Sequence, residues 1–290
     1  MTRENGRMTR IIDGKAIAAA IGEEIRKDIA ELAATGITPA LAVVMATADQ
    51  GAAWYVRSIS RTAERLGIGC RVHTPGPDAG QEAIGSLLSS LSRDDRVHGI
   101  ICQTPLPPGV RPEIAALNIA PAKDIDGANP QSLGMLAAGI PGAYPPATAA
   151  AVMEILEREG AEPQGSRAVV VGRSNVVGKP AALLLLAAHA TVTICHSRTA
   201  DLAGVCREAG ILVAAAGKPE LIGAEHVRPG AIVIDVGTNA ADGGIVGDVD
   251  THAVAGIASA VTPVPGGVGP VTTMLLMRHA VRAARELGTP

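Results

Sequence analysis

The chain has 290 residues, 47% of them hydrophobic, which is enough to bury the core of one large or two smaller α/β domains without disulfides or metals. With 25 Lys and Arg against 28 Asp and Glu, it has no basic field to hold a nucleic-acid backbone, so nucleic acid is not an expected partner. The polar segment 1–10 lacks the apolar stretch of a signal peptide, and the apolar run 181–190 is too short to span a bilayer; together they predict a cytoplasmic protein with no membrane partner.

The cysteines and several lone histidines lack the spacing of metal ligands. No two cysteines form the close pair of a structural zinc or thioredoxin-type site, so we interpret them as reduced packing residues and expect no metal. These residues are Cys70, Cys102, Cys195 and Cys206, with His73, His98 and His189.

In the first half, short aliphatic runs alternate with helical patterns, which predicts a parallel sheet covered by helices and therefore an α/β fold. The expected strands are 41–47, 70–74 and 97–103, and the expected helices are 53–67 and 81–92.

The second half repeats this alternation, and both halves are typical of doubly wound domains. Gly and Pro cluster at 139–146, which predicts a domain boundary, and at 262–270, which predicts an irregular stretch before a last helix. The other expected elements are strands 168–172, 191–197, 211–217 and 231–237, and helices 178–188 and 201–208.

A glycine-containing turn follows the strand at 168–172 and precedes a helix. In this setting backbone N–H groups are presented to a phosphate, with Gly172 allowing the tight turn and Gly178 a close approach. The spacing is not the usual GxGxxG, so a plain tight connection is the alternative.

The end of the next strand favours NADP over NAD as the cofactor. An NAD enzyme places an acidic residue there, but this chain has His196, Ser197 and Arg198. Together with Arg173, these side chains could hold a 2′-phosphate through charge-assisted hydrogen bonds. Taken alone, Arg198 could equally be a solvated surface charge.

Several segments, taken in order, resemble one enzyme family over almost the whole chain from residue 11. The segments are 11–18, 55–68, 102–107, 121–127, 169–180, 196–199, 229–237, 247–250 and 262–272. They are similar to the bifunctional methylenetetrahydrofolate dehydrogenase/cyclohydrolase family.

This resemblance implies an N-terminal α/β catalytic domain, made of residues 1–145 plus 271–290, and a Rossmann-like NADP-binding domain with a parallel sheet at 146–270. It also implies a homodimer, with NADP as cofactor and a tetrahydrofolate derivative as substrate in the cleft between the domains.

For the catalytic residues, the resemblance implies that Tyr55 stacks on the folate, with Gln103 and Asp126 as polar partners near the pterin and the reacting carbon. An aromatic face suits a flat heterocycle, and a carboxylate can pair with the pterin N–H groups. The structural alternatives are packing for Tyr55, capping of a strand end for Gln103 and an Asx turn for Asp126.

The resemblance also implies binding residues. The stretch 262–270 is similar to the family's substrate loop, in which rigid Pro and slim Gly let backbone approach the folate; a plain interdomain connection is the alternative. The expected substrate-binding residues are Tyr55, Asp126, Pro265, Gly266 and Gly267, and the expected cofactor-binding residues are Gly172, Arg173, Ser174, Val177, Gly178, His196, Ser197 and Thr238.

The chain departs from the family four residues after Tyr55, where the family's lysine is replaced by Ile59. Positions i and i+4 share a helix face, and an isoleucine can neither donate nor accept a proton. We therefore expect NADP-dependent oxidation of 5,10-methylenetetrahydrofolate to the methenyl form, with a weak or absent cyclohydrolase step. The alternatives are the full bifunctional enzyme, a non-folate NADP oxidoreductase, and a catalytically silent folate- or NADP-binding protein.

Overall fold

The computed structural model describes residues 8–241 and 244–288. The chain divides into two compact units, which we name by their main sheets. The six-stranded unit spans Met1–Ala19 and Thr148–Thr272, and the three-stranded unit spans Ala20–Ala147 and Thr273–Pro290.

The strands in chain order are β1 (Arg10–Ile11), β2 (Ala40–Met45), β3 (Gly69–His73), β4 (Gly99–Gln103), β5 (Arg167–Val171), β6 (Thr191–Cys195), β7 (Ile211–Ala214), β8 (Ile232–Asp235), β9 (Asn239–Ala241), β10 (Gly244–Val246) and β11 (Ala260–Val261). The α-helices are α1 (Gly14–Ala34), α2 (Gln50–Leu66), α3 (Gln81–Ser92), α4 (Pro112–Ala116), α5 (Pro130–Ala138), α6 (Ala147–Arg158), α7 (Gly178–Ala187), α8 (Leu202–Cys206) and α9 (Val268–Leu287).

The three-stranded unit has a parallel sheet in the order β3-β2-β4, so the strands expected in the first half are confirmed. Its central strand β2 is buried along most of its length, since Leu41, Ala42, Val43 and Val44 are each at most 2% exposed. The expected helix 81–92 coincides with α3.

Helix α2 begins three residues earlier than the expected 53. The Asp49 side chain accepts a hydrogen bond from the Ala52 N–H at 2.7 Å, which caps the helix and lets residues 50–53 be helical. Gly67 ends the helix in the left-handed conformation, at φ 81°.

The six-stranded unit has a parallel sheet in the order β1-β11-β8-β7-β5-β6. Because β5 is followed on one side by β6 and on the other by β7, the chain reverses direction across the sheet at the β5/β7 pair. Ligands of doubly wound sheets bind at the carboxyl ends of strands at such a switch point. The core on one face includes Cys195 and Cys206, both buried.

Strand β1 was not expected, and it pairs with β11 through Arg10 and Ile11. Residues 8–19 therefore belong to the six-stranded unit, whereas the expected bounds placed them in the first domain. A strand of two residues has no detectable sequence pattern. We propose the other expected domain bounds unchanged, with the catalytic domain ending at residue 145 and resuming at 271, and the NADP-binding domain at 146–270.

The stretch 262–270 was expected to be irregular throughout. Its last three residues are instead helical, because α9 begins at Val268. Pro270 lies in the first turn of α9, where a helix needs no N–H from that residue. Within residues 8–241 and 244–288, no helix combines the length and apolar character needed to cross a membrane.

Candidate active site

Most of the expected binding residues of the six-stranded unit lie at one edge of its sheet. Because the strands are parallel, the segments after β5, β6, β7, β8 and β11 all emerge at the carboxyl edge. The glycine turn follows β5, the 196–198 turn follows β6, Thr238 follows β8 and the Pro265–Gly267 loop follows β11.

Both glycines of the β5 turn are needed for close backbone approach. Gly172 has φ 141°, and a Cβ there would lie 2.1 Å from the Ala215 carbonyl oxygen. A Cβ on Gly178 would lie 2.2 Å from the Gly172 carbonyl oxygen. Real Cβ atoms do not come this close, so the turn after β5 packs directly on the segment after β7, at the switch point.

The same turn leaves backbone donors for a ligand. The Ser174 hydroxyl accepts the N–H groups of Val177 (3.1 Å) and Gly178 (3.3 Å), which caps α7 from within. In the described part of the chain, the N–H groups of residues 173–176 have no acceptor. A turn with unpaired N–H groups at a helix N-terminus fits the phosphates of a dinucleotide.

The segment after β6 folds into a tight turn. The His196 N–H donates to the Thr199 hydroxyl at 2.8 Å, and the Arg198 N–H donates to His196 Nδ1 at 3.1 Å. His196 is therefore held as the Nε2–H tautomer when neutral. Ser197, Arg198 and, in the β5 turn, Arg173 are exposed.

The Pro265–Gly267 loop packs on the start of α1. A Cβ on Gly14 would lie 1.8 Å from the Gly267 carbonyl oxygen, so the two segments touch through backbone alone. The Lys15 side chain comes within 3.7 Å of a Cβ position at Gly266. Lys15 lies in the segment 11–18 that resembles the family, but it was not among the site residues predicted from the sequence.

Two buried carboxylates organise the same edge, and sequence reasoning missed both. Asp235 and Asp248 are 1% and 0% exposed, and Asp235 accepts the N–H groups of Gly237, Asp248 and Val249, each at 2.9 Å. Burial raises the pKa of Asp235 to about 6, although these N–H donors oppose the shift. The only sequence signal for these two residues was their position, since Asp235 ends the aliphatic run of β8 and Asp248 follows β10.

In the three-stranded unit, Tyr55 and Asp126 lie close enough to interact electrostatically. The pKa of the Tyr55 phenol is raised, first by burial and second by Asp126, while a hydrogen bond with Thr273 lowers it. Asp126 also acts on the thiol of Cys102, whose pKa burial raises to about 11. Next to that thiol, the Gln103 amide nitrogen donates to the Thr104 carbonyl at 2.6 Å, leaving its oxygen as an acceptor.

The Asp126 carboxyl has a strongly perturbed environment. Its pKa is raised to about 7, first by burial and second by the neighbouring Asp124, while the N–H of Ala147, the first residue of α6, lowers it. The next residue, Gly127, has φ 61°, and a Cβ there would lie 2.4 Å from the Pro146 nitrogen. A carboxyl that titrates near neutral pH is a candidate for binding or acid/base work.

The buried side chain of His279 fixes the backbone before Asp126. Its Nδ1 lies 2.8 Å from the Ile125 carbonyl oxygen, and because a carbonyl only accepts, Nδ1 carries the proton. Burial lowers the pKa of His279 to about 4, so the ring is neutral at physiological pH. Tyr144 packs against it with ring centroids 5.1 Å apart.

Ile59 is fully buried on α2, one helical turn after Tyr55. Trp54, by contrast, is 66% exposed on another flank of this helix. Arg57 and Arg61 are exposed too, so neither takes the buried position of residue 59. The described residues contain no cluster of His, Cys, Asp and Glu that could hold a metal ion.

The doubly wound sheet, with a glycine turn and unpaired N–H groups at its switch point, defines a dinucleotide-dependent enzyme of the dehydrogenase class joined to a second α/β unit. Two family models match the chain: tetrahydrofolate dehydrogenase/cyclohydrolase, catalytic domain, at residues 12–126, and its NAD(P)-binding domain at residues 146–287. The chain belongs to the tetrahydrofolate dehydrogenase/cyclohydrolase family of enzymes.

Relatives in this family are similar to the chain over nearly its full length. The bifunctional protein FolD of Parafrankia sp. (strain EAN1pec) is 58% identical, covering 95% of this chain and 99% of the relative. The solved FolD methylenetetrahydrofolate dehydrogenase/cyclohydrolase from Campylobacter jejuni has a TM-score of 0.93 at 38% identity, over 96% and 99% of the two chains. The Trypanosoma brucei FolD, solved with NADP cofactor and inhibitor, has a TM-score of 0.91 at 35% identity, over 96% and 98%.

Proposed function

We propose that this enzyme oxidises 5,10-methylenetetrahydrofolate to 5,10-methenyltetrahydrofolate with NADP, and that its cyclohydrolase step is weak or absent. The observation that carries the proposal is the fully buried Ile59 one turn from Tyr55. The resemblance implies a lysine at this position in the family. When bound, NADP accepts the hydride that leaves the methylene carbon. Hydride transfer depends mainly on alignment, so it can proceed without a lysine.

The six-stranded unit supplies the cofactor side of the proposal. The N–H groups of residues 173–176 bind the pyrophosphate, and the backbone contact at Gly172 and Gly178 shapes the turn. Arg173, Ser197 and Arg198 hold the 2′-phosphate, because the residues directly after β6 are His196, Ser197 and Arg198 and include no acid to bind a free hydroxyl. Val177 and Thr238 line the same carboxyl edge.

We expect Arg198→Ala to raise the KM for NADP about tenfold, the loss of about one charge-assisted hydrogen bond, and to leave the KM for NAD unchanged. Initial rates with each cofactor would measure this. Arg228→Ala, which removes an arginine elsewhere in the unit, is the control. A parallel rise in both KM values would contradict the 2′-phosphate role.

The three-stranded unit supplies the folate side. Tyr55 stacks on the flat ring system, Asp126 pairs with pterin N–H groups, and Gln103 offers an amide oxygen. In the six-stranded unit, Pro265, Gly266 and Gly267 correspond to the family's substrate loop, as the resemblance implies. We propose further that the enzyme is a homodimer, as the resemblance implies, and that it is cytoplasmic, as the polar segment 1–10 and the short apolar run 181–190 predict.

The experiment that tests the proposal is Ile59→Lys. We expect this variant to hydrolyse authentic methenyltetrahydrofolate at least about tenfold faster than the wild type, since a lysine can move the protons that water attack requires. Dehydrogenase turnover should change less than about threefold. Burying an amine should lower the free energy of unfolding by about 2 kcal/mol.

Ile59→Met, which keeps an apolar side chain of similar volume, is the matched control and should gain no hydrolysis. The measurement is methenyl absorbance decay against a buffer blank. Wild-type decay equal to that of a lysine-bearing relative would contradict the proposal and favour the full bifunctional enzyme, the activity that the name of the Campylobacter jejuni relative gives. No NADPH formation would favour a silent binder or a non-folate oxidoreductase.

A further inference from the structure

The fully buried side chain of Asp248 accepts hydrogen bonds from four N–H donors. Oδ2 accepts the backbone N–H groups of Ala216 (2.5 Å) and Gly217 (2.9 Å), and Oδ1 accepts that of Lys218 (2.9 Å). The fourth donor is the Asn239 side-chain amide, also at 2.9 Å. Asp248 itself is 0% exposed.

The three backbone donors belong to the segment after β7, which forms one wall of the switch point. The Ala215 N–H donates to the Val171 carbonyl at 2.8 Å, and the Ala215 carbonyl is the group that excludes a Cβ from Gly172. The segment and the glycine turn therefore share one backbone contact. A shift of residues 215–218 would move the proposed phosphate cradle.

The fourth donor connects Asp248 to the segment after β8. Asn239 begins β9 and directly follows Thr238, a candidate cofactor-binding residue. Asp235 joins the backbone of Asp248 to the segment after β8, because its carboxylate accepts the N–H groups of both Asp248 and Gly237. A carboxylate with four donors fixes two loops more firmly than neutral hydrogen bonds would.

We propose that Asp248 is a positioning residue of the cofactor site, which fixes the 215–218 segment and Thr238 in the geometry that binds NADP. It acts through these loops and makes no contact with the cofactor itself. The proposal rests on the proposed function only in taking NADP as the ligand.

Asp248→Asn tests this, because an amide nitrogen cannot accept the N–H groups that face one carboxylate oxygen. Titration calorimetry with NADP alone should show a Kd at least about tenfold higher, the loss of about one such bond. In the assay, the KM for NADP should rise equally, while kcat at saturating NADP and the folate KM change less than about twofold.

Asp250→Asn is the matched control, since the Asp250 carboxylate accepts two backbone N–H groups of its own turn. It should leave the Kd unchanged. If Asp248→Asn does not fold, Asn239→Ala removes one donor and should raise the Kd about threefold.

A lowered melting temperature with a Kd within twofold of wild type, in whichever variant folds, would overturn the positioning role and leave Asp248 purely structural. A wild-type protein that binds no NADP in the same titration would instead overturn the proposed function.

Discussion

Asp126→Asn should lower the dehydrogenase kcat/KM about 100-fold, corresponding to about 3 kcal/mol of lost transition-state binding. The variant keeps the shape of the side chain, but its amide cannot offer two acceptor oxygens to pterin N–H groups. Steady-state kinetics with 5,10-methylenetetrahydrofolate would measure the loss, and the Kd for NADP should not change. Wild-type kcat/KM in the variant would exclude Asp126 from the folate site.

The same variant should be more stable than the wild type at alkaline pH. The pKa of Asp126 is about 7 in the folded chain and near 4 when unfolded, so the stability that the group contributes is fully present below pH 4 and lost as the pH rises through 7. An asparagine stays neutral. The variant's free energy of unfolding should therefore exceed the wild type's by about 4 kcal/mol at pH 8, with little difference at pH 4.

Asp78→Asn removes the same charge at an exposed position and is the control for urea unfolding at both pH values. It should leave the stability within about 0.5 kcal/mol of wild type. If the free energy of unfolding of Asp126→Asn does not rise relative to the wild type between pH 4 and pH 8, the pKa of Asp126 is not raised in the folded protein.

Gly178→Ala should abolish NADP binding, with a Kd raised at least about 100-fold, and lower the free energy of unfolding by about 3 kcal/mol. Its Cβ would lie 2.2 Å from the Gly172 carbonyl oxygen and 2.8 Å from the Arg173 nitrogen. Both atoms belong to backbone, so the turn itself must move. Calorimetry with NADP and urea unfolding would measure the two effects.

Gly134→Ala is the matched control, because Gly134 lies inside α5 and nothing comes within 4 Å of a Cβ there. That substitution should stabilise the protein by about 0.5–1 kcal/mol, since alanine is the better helix former. An NADP affinity of Gly178→Ala equal to that of the wild type would remove the glycine turn from the proposed cofactor site.

Local pattern was enough to locate β2 to β8 and helices such as α3, because aliphatic runs bounded by turn residues depend only on nearby sequence; the two-residue strands β1 and β11 were not located. Helix α1 went without an assignment, although its buried Ile17, Ile21 and Ile25 recur every four residues and were a usable signal. The start of α2 was placed late because the Asp49 cap decides it.

The candidate site was predictable where chemistry follows from residue type and position, as for the glycine turn and the turn after β6. It was not predictable where function depends on contacts between distant segments. Asp248 receives donors from residues about 30 positions earlier, and His279 bonds to a carbonyl 154 positions away. Such pairings require the folded topology.

The pairing of β1 with β11 constrains how the chain folds during synthesis. The Thr9 hydroxyl donates to the Ala258 carbonyl, 249 residues further along, so the edge strand is made long before the strand with which it pairs. At ribosomal rates, its partner emerges after roughly 12–50 seconds. Because β1 is only two residues long, it offers few unpaired backbone groups to a neighbouring nascent chain during that interval.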